Sequence, residues 1–327
     1  MGHYPPYDLT PGPAFSQAAR QSLEDGRARL AEGNWQTAMA AFREAVAQDC
    51  RSFLCPWGII PRLKSEGRDR MPRRMQARVA SWHSGAPPLA VETLAGLSYK
   101  PRMTRWAAAH GFATPTPIAK ADRLEVLDFD SLPSRCVIKP ANGAANAGVI
   151  VLRDGRNALA DEPIGADLKT YALDLWARDG VANAAVLVEA LIDDVDRPRD
   201  PALRVPRDVK VFCAGGSAAF FRVFDRNGPN MNRSRATYDR FGAWIDDPSP
   251  DWDPPADRRP PTGFEQAISE AERASRLFPW MVRFDFYCTA TGPVLGEVTT
   301  TPNLGIGFRG IVWRTMHQML EAFPDPE

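Results

Sequence analysis

Residues 283–300, RFDFYCTATGPVLGEVTT, place two acids where acids are disfavoured. The apolar and β-branched residues on either side of Thr291-Gly292 predict two strands joined by a turn. Asp285 falls in the first strand and Glu297 in the second. Asp and Glu are poor strand residues, and both of these sit among apolar neighbours. A buried carboxylate needs a cation. Strands paired across the Gly292 turn can bring both carboxylates to one cleft, because alternate strand positions share a face. Oxygen ligands on neighbouring strands suit magnesium, which takes one or two protein carboxylates and completes its shell with water and phosphate oxygens. The other reading is two exposed strand acids.

A second stretch bears on the choice. Residues 136–152, CVIKPANGAANAGVIVL, are two β-branched runs around a bend of Ala, Asn and Gly, with Lys139 at its entrance. No Gly-Lys-Ser/Thr closes the bend, so it is not a Walker loop. It is a plain hairpin or a backbone cradle for phosphate. Further cations lie along the chain: Lys100 before a helix, Lys210 and Arg222 in a strand hairpin, Arg226 after it, and Arg283 two residues from Asp285. Each alone is an ordinary surface charge. Converging on a carboxylate-bound magnesium, they describe a nucleoside triphosphate site.

Composition sets the outer limits. The chain has 327 residues, 44% hydrophobic and 24% charged, enough for a full core. Its 40 basic and 40 acidic residues balance, so no global field draws in nucleic acid or an anionic membrane. The first residues, MGHYPPYDLTPGPAF, lack the charged lead and apolar core of a signal peptide. No apolar run is long enough to span a membrane. Cys136, Cys213 and Cys288 read as buried free thiols, and Cys50 and Cys55 find no second pair for zinc.

Periodicity orders the rest. Residues 1–13 are a proline-rich extended arm. Residues 14–95 are helical, with one hairpin similar to a tetratricopeptide repeat and no second copy to stack on. A helix spans residues 102–110, with Gly111 as its stop. DLKTYALDLWARDG is a helix ended by Gly180, and AAVLVEALI is a buried strand. DVKVFCAGG and SAAFFRVFD form a hairpin across Gly215-Gly216. Residues 227–263, rich in Pro, Asp and Arg, read as a long loop or flap. GFEQAISEAERASRLF is an amphipathic helix, and GIVWRTMHQMLEAF closes the chain as another. Helices alternating with antiparallel hairpins give an α/β or α+β class.

The ordered series YKPRMTRWAAAHGFATP, LPSRCVIKPANGAANAGVIVL, VLVEALI, RDVKVF, RVFDR, VRFDFY and GEVTTTPNLG resembles the ATP-grasp superfamily. Within it, the series resembles the teichuronopeptide-biosynthesis (TupA-like) family. The resemblance implies an α+β ATP-grasp fold over residues 96–323, two lobes gripping ATP, with ATP and Mg2+ as cofactors. It also implies roles. Lys100 and Lys139 resemble the lysines that reach the phosphates. Asn142, Gly143 and Gly148 lie in a loop, 141–148, similar to the one that closes over the triphosphate. Glu189 resembles the hinge acid near the adenine, and Asp208 the acid that holds the ribose. Lys210 resembles the cation at the terminal phosphate. Asp285, Glu297 and Thr299 occupy the metal positions, and Arg283, with Lys210 and Arg222, the catalytic ones. Thr301, Asn303 and Gly305 belong to a loop similar to the acceptor-facing turn. The sequence departs from the wider superfamily at Thr299, where Asn is common, in a bend poor in Gly, Ser and His, and in its helical N-terminus.

The implied activity is an ATP-dependent carboxylate–amine ligase working through an acyl phosphate, in cell-surface polymer or secondary-metabolite biosynthesis. The alternatives are a phosphotransferase of the same fold and a non-catalytic binding protein on that scaffold. The expected partners are small-molecule or peptide acids and amines. Nucleic acid and membrane insertion are not expected, a homo-oligomer is left open, and the expected location is the cytoplasm.

Overall fold

A computed structural model of the chain describes residues 100–141, 146–165, 167–227, 234–246, 254–255, 257–278 and 281–300, with isolated positions at 21, 25, 97, 302, 312, 315–316 and 318–319. The chain divides into two compact units. One is Gly96–Thr299 with Gly310–Thr315; the other is Met1–Ala95, Thr300–Arg309 and Met316–Glu327. The arm, the helical region over 14–95 and most of the closing helix lie outside the described residues. The isolated positions Gln21 and Asp25 are helical. The elements described below belong to the unit Gly96–Thr299.

That unit opens with helix α1 (Lys100–Ala109), two residues earlier than the pattern suggests. Pro101 is tolerated because it sits in the first turn, where its missing N–H has no intrahelical partner. Gly111 ends the helix in the left-handed conformation at φ +69°. Phe112 N–H reaches back to Ala107 and Gly111 N–H to Ala108, the paired bonds of a Schellman motif.

The first sheet follows, made of β1 (Pro117–Ala121), β2 (Cys136–Pro140), β3 (Ile150–Arg153), β4 (Arg156–Asn157), β5 (Glu162–Pro163) and β6 (Val186–Ala190), in the order β1-β6-β2-β3-β4-β5. Helix α2 (Leu168–Arg178) is capped by Asp167, whose carboxylate accepts from Lys169 N–H at 2.9 Å. Its Trp176 is fully buried with Cys136, Ile138, Ile150, Leu152, Val186 and Val188. In β2 the alternate residues Val137 and Lys139 point to the other face.

The second sheet holds β7 (Asp208–Ala214), β8 (Ser217–Asp225), β9 (Ser234–Asp239), β10 (Trp244–Ile245), β11 (Val282–Thr289) and β12 (Gly292–Thr299), in the order β10-β9-β8-β7-β11-β12. Helix α3 (Phe264–Ser275) covers one side. Its buried Phe264, Ala267, Ile268, Ala271 and Ala274 recur at helical spacing, and Phe264 stacks on Phe221 with ring centroids 5.2 Å apart. Val211, Phe284 and Val298 lie in register with Phe221 on this apolar side.

Every described strand pairing is antiparallel, so the class is α+β. The reading of 227–263 as a loop is corrected by β9 and β10. Proline and aspartate dominate that segment's average, and the short run SRATYD is hidden in it. Its Ala236, Thr237 and Tyr238 are buried because β9 pairs with β8 along its whole length. No described helix is long and apolar enough to cross a membrane. Cys136, Cys213 and Cys288 are buried and unpaired; Cys50 and Cys55 lie outside the described residues.

Candidate active site

The face of the second sheet turned away from α3 carries the polar groups. Reading across the strands, Thr237 pairs with Arg222, Arg222 with Lys210, Lys210 with Asp285, and Asp285 with Glu297. Directly opposed residues share a face. Five strands therefore deliver one continuous row: a hydroxyl, two cations and two carboxylates. Neighbouring rows add Asp208 and Tyr287, paired with each other, and Arg283 and Thr299, likewise paired.

The two acids share this face because of a bulge. From the turn, the ladder runs Thr289–Gly292, Cys288–Pro293, Tyr287–Val294 and Phe286–Leu295. A regular ladder continues with Glu297 opposite Phe284, on the apolar side. Instead Asp285 meets Glu297 and Phe284 meets Val298. Gly296 is the extra residue. A β-carbon there would lie 2.6 Å from Tyr287 Cε2. A plain hairpin therefore does not put both acids in one cleft. The available signal was a glycine inside a strand, which marks bulges.

Asp285 is nearly buried and chelated by Arg283, whose Nε and Nη2 donate at 2.6 and 2.8 Å. Lys210 Nζ donates to the same carboxylate and lies 3.6 Å from Asp208 Oδ2. Arg226 pairs with Asp208. Burial raises the Asp208 carboxyl, but Arg226 and Lys210 outweigh it and hold it at about 2. Burial likewise opposes ionisation of Glu297, and Arg283, Lys210 and Lys100 bring it down to about 2. Thr299 Oγ1 donates to Glu297 Oε1 at 3.1 Å. Glu297 keeps 46% of its side-chain surface open, whereas Asp285 keeps 5%. It is the accessible acid of the pair.

The first sheet contributes Lys139 and Glu189, which form a buried ion pair. Lys100, at the start of α1, feels both sheets: burial lowers its pKa most, Glu297 and Glu189 raise it, and Lys139 lowers it further. The two polar faces therefore address one space, with Lys100 between them. Gly148 is held at φ +67°; its N–H donates to Asp179 at 2.8 Å and its carbonyl accepts from Trp176 Nε1 at 2.7 Å. With its donor engaged, it anchors the end of the bend. Asn142, Gly143, Thr301, Asn303 and Gly305 lie outside the described residues.

Of the expected site residues, the structure thus brings together Lys100, Lys139, Glu189, Asp208, Lys210, Arg222, Arg283, Asp285, Glu297 and Thr299. The sequence reading missed Thr237, hidden in the supposed loop, and Tyr287. It noted Arg226 without its tie to Asp208.

The donor set suits a hard divalent cation: two carboxylates on paired strands and a threonine hydroxyl, all oxygen. Among the described residues no cluster of three or more His, Cys, Asp or Glu side chains forms a closed cage. An ion held by Asp285 and Glu297 would draw its other oxygens from water or phosphate, the usual habit of magnesium. A separate open pocket of about 430 Å³ lies by the β11–β12 turn, lined by Thr116, Ile192 and Thr291 among others. Its acids Asp193 and Asp194 are paired with Arg153 and Arg207, so it offers no uncompensated charge for chemistry.

A family model described as TupA-like ATPgrasp matches residues 105–310. No curated protein matches the chain. Among solved structures, the D-alanine–D-alanine ligase of Helicobacter pylori is similar at 17% identity and a TM-score of 0.40, over 70% of this chain and 62% of that one. The L-amino acid ligase of Bacillus licheniformis is similar at 14% identity and 0.46, over 86% and 62%. The ATP-grasp ligase PsnB, complexed with a phosphomimetic variant of a minimal precursor, Mg and ADP, is similar at 14% and 0.41, over 90% and 72%. The chain spans less than two thirds of the first two.

Proposed function

The chain belongs to the TupA-like ATP-grasp family, and from that membership we propose that it is an ATP-dependent carboxylate–amine ligase. The observation that carries the proposal is the row Arg222–Lys210–Asp285–Glu297 across adjacent strands. It sets cations beside a carboxylate pair on one face, as a polyphosphate with a divalent ion requires.

In this reading Asp285 and Glu297 hold Mg2+, with Thr299 orienting Glu297 through its hydrogen bond. When bound, the ion offsets negative charge on the phosphate oxygens. Lys100 and Lys139 bind the phosphates, Glu189 faces the adenine and Asp208 the ribose. The acid substrate's carboxylate oxygen attacks the γ-phosphorus, the bond to ADP breaks, and an acyl phosphate forms. The amine nitrogen then attacks the acyl carbon. The acyl C–O bond breaks, phosphate leaves with its electron pair, and the amine proton passes to solvent. Lys210, Arg222 and Arg283 stabilise charge in both steps. Arg283 is suited to this because its fork is already aimed by Asp285. The acid and the amine are small molecules or peptide termini.

Incubation with Mg-ATP and panels of acid–amine pairs, read by ADP release and product mass, tests this. The expected product is the amide, with Asp285→Asn and Glu297→Gln each lowering turnover by about 10² or more. A phosphorylated acceptor without amide would make the protein a phosphotransferase. Wild-type turnover in both variants would remove the metal assignment.

A further inference from the structure

Asp193, just beyond β6, is surrounded by more positive charge than one carboxylate can balance. Arg135 Nη2 donates to its Oδ2 at 2.7 Å and Arg153 Nη2 to its Oδ1 at 2.5 Å, and Arg197 Nε lies 3.7 Å from Oδ1. Asp194 and Asp196, next along the chain, are paired with Arg207 instead. Among the described residues, Asp193 is the only acid paired with these three arginines, which leaves a surplus of two positive charges.

Register brings two of the arginines together. The β2–β3 ladder ends with Cys136 opposite Leu152. One step further, Arg135 and Arg153 come side by side, on the face that carries Val137 and Val151. Like charges placed directly opposite each other repel. Arg135 is half open to solvent, but Arg153 keeps only 5% of its surface. A guanidinium has five N–H donors, and among the described residues Arg153 engages one nitrogen, Nη2. Its Nε is sealed without a partner, whereas its Nη1 is neither bonded nor sealed. Arg153 therefore keeps an open donor despite its burial.

Guanidinium forks with unused donors suit a phosphate dianion, which accepts parallel N–H bonds and supplies the missing charge. The pocket by the β11–β12 turn adjoins this cluster: Asp193 and Arg197 line it, and Arg135 and Arg153 do not. The pocket is balanced, and the surplus stands at its edge. Lys139 lies four residues along the chain from Arg135, about 13 Å away on a strand, so the cluster is separate from the nucleotide residues.

We propose that Arg135, Arg153 and Arg197 form a binding site for a phosphate dianion, carried either as free phosphate or on a small monoester whose organic part lies in the adjoining pocket. The proposal does not depend on the ligase reading.

Calorimetry of the full chain at constant ionic strength and about pH 8, where a phosphate monoester is a dianion, tests it. The probes are inorganic phosphate, phenyl phosphate and acetate, with no nucleotide present. Arg135→Gln and Arg153→Gln each remove a charged donor and should raise the Kd for inorganic phosphate about tenfold or more. Asp193→Asn removes the acid that competes with phosphate and should lower it about fivefold; a purely structural ion cluster has no such gain. Phosphate binding should hold within twofold in Lys210→Gln. Phenyl phosphate bound about threefold more tightly than inorganic phosphate identifies a monoester, and equal affinity identifies free phosphate. Circular dichroism and urea midpoints establish that the variants are folded, and Arg135→Gln, at a half-open position, carries the test where Arg153→Gln unfolds. The proposal is overturned by a wild type that binds no phosphate, by acetate bound as tightly as phosphate, or by binding that survives in folded Arg135→Gln and is lost in Lys210→Gln.

Discussion

Asp208 and Glu297 show how a buried acid on this sheet keeps its charge. Each is opposed by burial and rescued by cations on neighbouring strands. Asp208 falls from an ordinary 3.8 to about 2, and Glu297 from 4.5 to about 2. A carboxylate more acidic in the folded than in the unfolded chain stabilises the fold wherever it is ionised in both states. That contribution is complete above about pH 5 and is lost as pH falls toward 2. For Asp208 the shift corresponds to about 2 kcal/mol; Glu297, half open to solvent, contributes less. Urea midpoints measured from pH 7 to pH 2 should therefore fall most steeply below pH 4. Asp208→Asn should be less stable at pH 7, because Arg226 loses its partner and Lys210 one of its two acids, yet flatter in acid. Parallel acid slopes for variant and wild type would mean that Asp208 is not the group titrating.

Glycines show what each element asks of the backbone. Gly111 and Gly148 both sit at positive φ, but only Gly148 is crowded: a β-carbon there would lie 2.6 Å from Val181 Cγ2 and 3.2 Å from Pro140 Cγ. At Gly111 nothing lies within 4 Å. Gly111→Ala should therefore cost about 1 kcal/mol, the left-handed penalty alone. Gly148→Ala should add overpacking and reach about 3 kcal/mol. Urea unfolding of the two variants checks the difference; equal losses would show that the Trp176 and Val181 contacts relax freely. The same elements mark what a sequence discloses. Acids among apolar strand residues singled out Asp285 and Glu297, because acids are disfavoured in strands. The bulge at Gly296 was not legible in the same way: alternation assigns faces only once register is known, and one inserted residue reverses every face beyond it. Strand β9 escaped because its six residues are outweighed by the proline and aspartate around them.

At the scale of the whole unit, the two sheets are joined by the segment between β6 and β7, and that segment is firmly held. Arg207 chelates Asp194 through Nε at 2.9 Å and Nη2 at 2.8 Å, and reaches Asp196 at 2.5 Å. Asp196 in turn accepts from Thr262 N–H and Oγ1, just ahead of α3. The connection leaving Glu189 is thereby tied to the strand that begins at Asp208. The order of motifs conveyed that both sheets contribute residues. It did not convey this clamp, because an Asp-rich loop reads as solvated until its arginine partner, thirteen residues on, is seen folded against it. A ligand that draws Lys139 and Glu189 from one sheet and Lys210, Asp285 and Glu297 from the other stabilises the unit only when both are in place. Mg-ATP at a hundredfold its Kd should then add about 2.7 kcal/mol to the free energy of opening. Hydrogen exchange should show this as slower exchange in β2 and β6 and, by a similar factor, in β7, β11 and β12. Protection confined to β7, β11 and β12 would mean that the nucleotide is held by one sheet alone. Lys139 and Glu189 would then be a structural ion pair, and the nucleotide assignment of the first sheet would have to be withdrawn.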